Sequence, residues 1–234
     1  MLKILTFQFN PFQENCSFAW DETGEAVIID PGFYDEKEAA SLYGKIQEKG
    51  VKPKMILLTH GHFDHIFGVK ECASKYGIPV YMNQDDNYML ANNFSSAFGL
   101  RDPDSSFVTE SLVDGQILKF GNTEFETIVT PGHTPGGVCF YDAEDKVVFT
   151  GDTLFAGSIG RTDQPGGDYD KLIVSLMDKV MVLPGDVTVF PGHGPCTTIS
   201  DERTHNPFLQ PFNEPDEDTL DWDADGIELH GGDK

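Results

Sequence analysis

Residues 54–65 read KMILLTHGHFDH, and this stretch decides the predicted fold and site. Its apolar centre, within residues 54–59, predicts a strand that is covered on both faces of its sheet. After the strand, Gly61 permits a tight turn, and four residues of metal-ligand type stand close together: His60, His62, Asp64 and His65. Because imidazole and carboxylate groups bind metals, the sequence predicts a metal site where a buried strand ends.

Three further predicted strands end in the same manner, with a glycine shortly before a residue of ligand type. Residues 123–130 lead to His133, residues 146–150 lead to Asp152, and residues 188–190 lead to His193. Four strand ends that present ligands together would form one cluster on a rim of the sheets. We therefore predict a centre with seven ligands: His60, His62, Asp64, His65, His133, Asp152 and His193.

The predicted ligands are nitrogen and oxygen donors, and no thiolate is among them. Such donors suit Zn²⁺, iron or manganese, and they do not suit an iron–sulfur cluster or copper(I). A binding module that uses metal only for stability is disfavoured, because structural zinc sites are closed four-ligand centres, often rich in cysteine. A bound metal ion lowers the pKa of water from 15.7 to about 7 and so supplies a hydroxide nucleophile at neutral pH. The residues themselves thus indicate metal-assisted hydrolysis.

The pattern along the chain is one of grouped strands with interspersed helices. Helices are predicted at residues 35–49, 66–76 and 170–182, and residues 91–104 are predicted to form a surface loop near the site. This pattern predicts mixed sheets covered by helices in an α/β (α+β) fold. We expect one hydrolase domain at residues 1–210 and an acidic tail at residues 211–234, where aspartate and glutamate dominate.

Composition narrows the classes of partner. The formal net charge is −23, and such a chain would be repelled by a phosphate backbone, so no nucleic-acid partner is expected. No apolar stretch approaches the roughly 18 residues that span a bilayer, and the N-terminus does not resemble a signal peptide. The four cysteines form no CxxC pair. We therefore expect a cytoplasmic protein with reduced thiols and no membrane partner.

The ligand pattern resembles the metallo-β-lactamase superfamily, and within it the short bacterial subgroup of the glyoxalase II (hydroxyacylglutathione hydrolase) branch. The motif H-x-H-x-D-H, the later histidines and the Gly-Asp pair occur in the order typical of that superfamily. The branch-level resemblance rests on four stretches: TPGHTPGG at 130–137, TGDTLF at 150–155, GSIGRTD at 157–163 and ERTHNPF at 202–208. The resemblance covers about residues 4–207.

This resemblance implies a four-layer αββα sandwich with two divalent metal ions, with Zn²⁺ as the first expectation and iron or manganese as alternatives. It implies that one metal is held by His60, His62 and His133, the other by Asp64, His65 and His193, and that Asp152 bridges them. Asp64 and Asp152 are then the catalytic carboxylates. Arg161 is the candidate for binding a substrate carboxylate, and an inward-pointing structural ion pair with a nearby aspartate is the equal alternative.

The implied reaction is hydrolysis of a small-molecule acyl thioester, with a hydroxyacyl-thiol conjugate as substrate. A short acidic segment follows Pro207 where glyoxalase II enzymes carry a helical domain that helps to bind glutathione, so the thiol carrier stays open. A second possibility is a persulfide dioxygenase with one iron, held by residues equivalent to His60, His133 and Asp152. A third is another hydrolase of this fold, either a lactonase or a β-lactamase. The sequence predicts no oligomeric state.

Overall fold

Two six-stranded sheets form the centre of the molecule. The structure is a computed structural model that describes residues 1–210 of the 234-residue chain. The predicted acidic tail at 211–234, and with it the predicted domain boundary, lies outside the described residues. No helix within residues 1–210 is both long and apolar enough to cross a membrane.

The first sheet comes from the N-terminal half of the described chain. Its strands in spatial order are Lys3–Phe9 (β1), Glu14–Trp20 (β2), Glu25–Ile29 (β3), Lys52–Leu57 (β4), Val80–Met82 (β5) and Thr109–Ser111 (β6). The pairs β1–β2 and β2–β3 are antiparallel, and the strands from β3 to β6 pair in parallel. The carboxyl ends of parallel strands share one edge, so the loops after β3, β4 and β5 meet there.

The second sheet comes from the C-terminal half. Its six strands in chain order are Ile117–Phe120 (β7), Thr123–Val129 (β8), Val138–Asp142 (β9), Val147–Gly151 (β10), Thr188–Pro191 (β13) and Thr197–Thr198 (β14). Between β10 and β13 the chain forms a separate two-stranded sheet of Leu154–Phe155 (β11) and Ser158–Ile159 (β12). The spatial order is β14-β13-β10-β9-β8-β7. Strands β10 and β13 pair in parallel, and β8 runs in the same direction as β10 because β9 is antiparallel to both. These three strands therefore end on one rim.

Helices cover the outer face of each sheet. They are Glu36–Lys49 (α1), Phe63–Ile66 (α2), Val69–Tyr76 (α3), Asn87–Ala91 (α4), Tyr169–Ser175 (α5) and Ile199–His205 (α6). The helix predicted at 35–49 is confirmed: Asp35 caps its first turn by accepting from the Glu38 amide, and Gly50 ends it with a φ of 65°. A π-helical turn, Leu176–Val180, continues α5.

The prediction of one continuous helix at 66–76 was wrong. The chain forms α2 and α3 instead, and Gly68 stands between them. A Cβ at Gly68 would lie 2.3 Å from the ring of Phe33, so the glycine permits close packing at the break. The early start of α2 places two residues of the H-x-H-x-D-H motif on a helical turn, where they face the same rim as the preceding loop.

Three apolar layers alternate with the sheets and helices. In strand β4, Ile56 and the following Leu58 pack against the helices of the first half, whereas Met55 and Leu57 pack against the second sheet. All four side chains are buried, as the apolar run predicts for a strand covered on both faces. A third layer, which includes Val148 and Leu172, joins the second sheet to α5. Three layers between four tiers of structure confirm the αββα sandwich.

Candidate metal centre

The four strand ends identified from the sequence meet on one rim and bring their ligand-type residues together. Within the described residues, three groups have ligand atoms that all lie within 4.8 Å of one another. Two of them are His60 with His62 and His133, and Asp64 with His65 and His193, and the third is Asp30 with His60 and His65. Asp152 lies between the first two groups: its Oδ1 is 3.4 Å from His65 Nε2, and its Oδ2 is 3.5 Å from His133 Nε2 and 3.7 Å from His193 Nε2. All seven predicted residues thus occupy one cluster.

Unsatisfied polar atoms in this cluster test whether it fits metal ions. His60 Nε2, His65 Nε2 and Asp152 Oδ1 are buried without a hydrogen-bond partner. A buried polar atom without a partner costs about 1–3 kcal/mol, so three of them in one cluster call for a ligand that is itself buried. Two divalent cations would satisfy all three atoms, one bound by His60 and the other by His65, with Asp152 between them. The residues present therefore fit two cations that share Asp152.

Hydrogen bonds on the outer side of the rings aim the histidines inward. His133 Nδ1 lies 2.7 Å from the Arg161 carbonyl, and His193 Nδ1 lies 3.1 Å from the Phe12 carbonyl. Since a carbonyl only accepts, both Nδ1 atoms carry a proton, and in the neutral form of each ring Nε2 presents its lone pair to the centre. His62 has the opposite orientation: its Nδ1 lies 2.9 Å from His133 Nε2 and forms part of the first group.

Asp30, directly after β3, supports the centre from below. Its carboxylate accepts from the Thr59 amide at 2.8 Å, from Thr59 Oγ1 at 2.5 Å and from His65 Nδ1 at 3.0 Å. The Thr59 hydroxyl in turn lies 3.0 Å from His60 Nδ1. Asp30 also falls within ligand distance of His60 and His65. Because its oxygens already bind three donors, we interpret Asp30 as a residue that orients ligands and not as a ligand.

Asp86 is a second buried support, and the sequence reasoning did not find it. Its carboxylate accepts from the Gly61 amide at 2.9 Å, from Thr134 Oγ1 at 2.7 Å and from the Gly136 amide at 2.7 Å. It thereby joins the turn between His60 and His62 to the loop that follows His133. Nothing in the sequence distinguishes Asp86 from its exposed neighbour Asp85.

The N-terminal strands hold the last ligand loop. Asn15 Nδ2 donates to the carbonyls of Pro191 at 3.0 Å and Gly194 at 2.8 Å, so this side chain fixes the loop around His193. The neighbouring Glu14 is fully buried, and neither of its carboxylate oxygens has a hydrogen-bond partner. Burial raises the pKa of Glu14 well above its usual range. A neutral Glu14 adds no negative charge beneath the aspartates of the centre.

Glycines before the ligands allow the close approach that the sequence predicted. Gly151 has a φ of 49°, and a Cβ there would lie 2.3 Å from Thr59 Oγ1. At Gly192 a Cβ would lie 2.3 Å from Asp152 Oδ1 and 2.8 Å from the ring of His65. Side chains at these two positions would therefore displace the supports or the ligands of the centre.

Two residues of the cluster, His62 and Asp152, have pKa values that suit metal binding. Burial, followed by the neighbouring His133, lowers the pKa of His62 to about 3. Burial alone would raise the pKa of Asp152, but the surrounding histidines, with His65 foremost, hold it well below its usual range. At neutral pH His62 is therefore neutral and Asp152 is an anion, which are the forms that bind a metal ion. Burial opposes a charge on His65 and His193, but the carboxylates of Asp152 and Asp64 raise the pKa of both rings, so a bound metal ion would take the place of their protons.

A cavity of about 180 Å³ opens above the centre. Its floor is formed by five of the clustered residues, and its walls by five others: Phe12, Phe63, Phe98, Arg161 and Gln164. Larger cavities of about 420–590 Å³ lie elsewhere on the described surface, and none of them is lined by the clustered residues. Since the small cavity alone reaches the centre, we take it as the substrate site.

Arg161 lies at the surface of this cavity. Its guanidinium makes a two-pronged pair with Asp163, with Nε–Oδ1 at 2.7 Å and Nη2–Oδ2 at 2.8 Å, and both side chains are exposed. The alternative of an ion pair with a nearby aspartate is thus present, although at the surface and not in the interior. The assignment of Arg161 to a substrate carboxylate stays a prediction.

An αββα sandwich with a cluster of histidines and aspartates at one rim defines a class of metal-dependent hydrolases. The family described as the metallo-beta-lactamase superfamily matches residues 9–193, and the chain belongs to this family. The predicted resemblance and fold are therefore confirmed. Family and cluster together support a metal-dependent hydrolase that binds divalent metal ions.

Relatives of known name fall in the same family. The chain is 42% identical over 206 residues to hydroxyacylglutathione hydrolase GloC from Haemophilus influenzae, which covers 85% of this chain and 93% of the relative. Among solved structures, the BLEG-1 B3 metallo-beta-lactamase has a TM-score of 0.82 and 38% identity, covering 89% of this chain and all of that one. TTHA1623 in a di-iron-bound form has a TM-score of 0.79 and 39% identity, with 88% and 100% covered.

Proposed function

We propose that the protein is a thioesterase that hydrolyses small hydroxyacyl thioesters with two divalent metal ions, Zn²⁺ in the first instance. The observation that carries the proposal is the pair of three-residue donor groups around Asp152, with three buried atoms that lack a partner. The relative named hydroxyacylglutathione hydrolase supports the thioester among the substrates open to this fold.

The metal ligands are assigned by the two groups. One ion would be held by His60, His62 and His133, and the other by Asp64, His65 and His193. Asp152 would contribute to both sites. When bound, the ions would supply a water of lowered pKa and a Lewis acid for the thioester carbonyl. Iron or manganese would suit the same donors.

The catalytic carboxylates would orient the attacking water. Asp64 Oδ2 lies 3.3 Å from His193 Nε2, and Asp152 Oδ2 lies 3.7 Å from the same nitrogen, so the two carboxylates lie near each other on the cavity floor. A water in the cavity beside them could donate hydrogen bonds to both. Its oxygen adds to the acyl carbon, the carbon–sulfur bond breaks, and the thiolate that leaves takes up a proton. The products are a carboxylic acid and a thiol.

We further assign Arg161 at the rim to a carboxylate of the substrate, because a guanidinium matches the geometry of a carboxylate. Such a substrate would take the place of Asp163 on Arg161, and the cost of breaking that exposed pair is small. Because the chain has a net charge of −23, we expect no nucleic-acid or membrane partner. We propose that the substrate is a small molecule and that the protein acts in the cytoplasm.

Metal analysis of the purified protein, combined with thioester and persulfide assays, tests the proposal. We expect two metal ions per chain and cleavage of a hydroxyacyl thioester. One iron per chain with oxygen consumption on a persulfide would show that the protein is a dioxygenase. Cleavage of lactones or β-lactams with no cleavage of thioesters would also overturn the proposal.

Asp152→Ala tests the shared ligand. We expect it to lose bound metal and thioesterase activity together, because both ions depend on this carboxylate. The matched control is Asp178→Ala, which removes an exposed carboxylate from the π-helical turn. Circular dichroism of both variants checks that they are folded. Full activity in a folded Asp152→Ala would disprove the shared role.

A further inference from the structure

Three phenylalanines from separate segments meet at the cavity. Phe12 follows β1, Phe63 begins α2, and Phe98 ends the short helical turn Ser95–Phe98. Their ring centroids are 5.3 Å apart for Phe12 and Phe63, 5.2 Å for Phe12 and Phe98, and 5.6 Å for Phe63 and Phe98. All three line the 180 Å³ cavity, and we call this set the aromatic wall.

The aromatic wall is attached directly to the metal centre. Phe63 stands between the ligand-type residues His62 and Asp64, and the Phe12 carbonyl accepts from His193 Nδ1. A thioester carbonyl over the centre would therefore have the aromatic wall beside it. The position of the wall relative to the reacting carbon is fixed by the same contacts that fix the ligands.

Exposure in the aromatic wall is graded from the floor to the mouth of the cavity. Phe63 is 8% exposed, whereas Phe98 is 53% exposed. A phenyl ring that stays half in water contributes little to the stability of the fold, and it gains from being covered by an apolar group. The exposed ring of Phe98 at the cavity is therefore accessible to an apolar group of a bound molecule.

The two polar residues at the rim leave the acyl side of the cavity to the aromatic wall. Gln164 is neutral, and Arg161 is the residue assigned to a carboxylate elsewhere on the substrate. The size of the cavity is also informative, since pockets for drug-sized molecules measure about 300–1,000 Å³. A space of about 180 Å³ holds only a part of a thioester. The acyl substituent and the thiol sulfur are both bonded to the reacting carbon, but a small acyl substituent fits a space of this size, whereas a thiol carrier as large as glutathione exceeds it.

We propose that the aromatic wall of Phe12, Phe63 and Phe98 is an acyl-binding subsite that selects thioesters with an apolar or aromatic acyl substituent. This inference rests on the proposed thioesterase function and adds to it a substrate class. Rings in edge and face contact bind a further phenyl group favourably, so an aryl substituent gains more than a methyl substituent.

The test compares two 2-hydroxyacyl thioesters of the same thiol, N-acetylcysteamine, one with a methyl and one with a phenyl substituent on the acyl group. The metal-loaded wild-type protein should cleave the phenyl substrate with a kcat/KM at least about tenfold higher than the methyl substrate. Phe98→Ala should reduce this ratio by about tenfold, and Phe98→Leu should reduce it less. Phe98 is the residue to change because its exposure makes unfolding of the variant unexpected.

Phe94→Ala is the matched control. Phe94 belongs to the same segment and is 42% exposed, but it does not line the cavity. This variant should keep the wild-type ratio and the wild-type metal content. A second pair of substrates, with one acyl group and either a methyl or a phenyl group on the thiol, tests the side of the carbonyl. We expect no dependence on Phe98 for this pair.

The outcomes separate the two proposals. If the metal-loaded wild type cleaves neither thioester, the proposed function is wrong and the acyl subsite falls with it. If both are cleaved and the ratio is near one, or Phe98→Ala leaves the ratio unchanged, the thioesterase stands and the acyl subsite is wrong. A Phe98-dependent preference that follows the thiol and not the acyl group would also overturn the assignment.

Discussion

Asp30→Asn should weaken metal binding although it changes only one atom type. The Asp30 carboxylate accepts from the Thr59 amide, the Thr59 hydroxyl and His65 Nδ1. An asparagine has one acceptor oxygen and one donor nitrogen, so in either orientation a donor faces a donor. If the nitrogen faces His65, that ring must lose its hydrogen bond or move its proton to Nε2. The second change removes the lone pair that faces Asp64 and His193.

The size of the effect follows from the bond that is lost. A hydrogen bond to a charged group contributes about 1.5–3 kcal/mol, and 1.4 kcal/mol corresponds to tenfold in affinity. We therefore expect the affinity for metal at the His65 group to fall about 10- to 100-fold, which is also the usual effect of removing a partner of a ligating histidine. Competition with a chelator, followed by metal analysis, measures the affinity and the stoichiometry.

Asp35→Asn is the control for Asp30→Asn. Asp35 caps α1 by accepting from the Glu38 amide, a role that does not involve the metal cluster. Asparagine caps helices as well as aspartate does. This variant should bind metal as the wild type does. If Asp30→Asn also retains two ions at wild-type affinity, the orienting role of Asp30 is wrong.

Asp86→Ala should lower the free energy of unfolding by about 2 kcal/mol or more, because the buried Gly61 and Gly136 amides lose their acceptor; urea denaturation measures this, and an unchanged midpoint would contradict it. Gly192→Ala should lower the metal content, because its Cβ would lie 2.3 Å from Asp152 Oδ1. The control is Gly44→Ala in α1, where no atom lies within 4 Å of the added Cβ, and equal metal contents in the two variants would refute the argument. Removal of both metal ions with a chelator should lower Tm by about 10–20 °C relative to protein in metal at 100 times the Kd of each site. Thermal denaturation with and without chelator measures this shift, and an unchanged Tm would show that no ion is held.

The sequence predicts the centre well because its information is local. The apolar run of β4 and the turn after it stand in one stretch, and each later ligand follows a strand that can be recognised from its own residues. The helix α1 is equally clear, since Asp35 and Gly50 mark its ends. In each case the residues that determine the structure are neighbours in the chain.

The elements that were not predicted lack such local information. Strands β6, β11, β12 and β14 have only two or three residues each, which is too short for a period of two to be seen. Their pairing is decided by the neighbouring strand. The helix α6 was not predicted either, although Thr198 caps it by accepting from the Asp201 amide.

The supports of the centre depend on contacts between distant parts of the chain. Asp30 bonds to Thr59, which is 29 positions away, and Asp86 bonds to Gly136, which is 50 positions away. One sequence does not reveal which buried carboxylate receives which amide. The same holds for the aromatic wall, because Phe98 lies in a predicted surface loop and its ring meets Phe12 only through the tertiary fold.

Each of the two donor groups around Asp152 combines two residues from the N-terminal half of the chain, which forms the first sheet, with one residue from the C-terminal half. The residue from the C-terminal half is His133 in one group and His193 in the other. A metal ion bound there would act as a clamp across the boundary between the halves. Its affinity would then report how well the two sheets are docked, and a substitution in the buried layer between the sheets, far from any ligand, would register as weaker metal binding. In such a molecule the affinity for metal would measure the packing of the two sheets as well as the state of the reaction site.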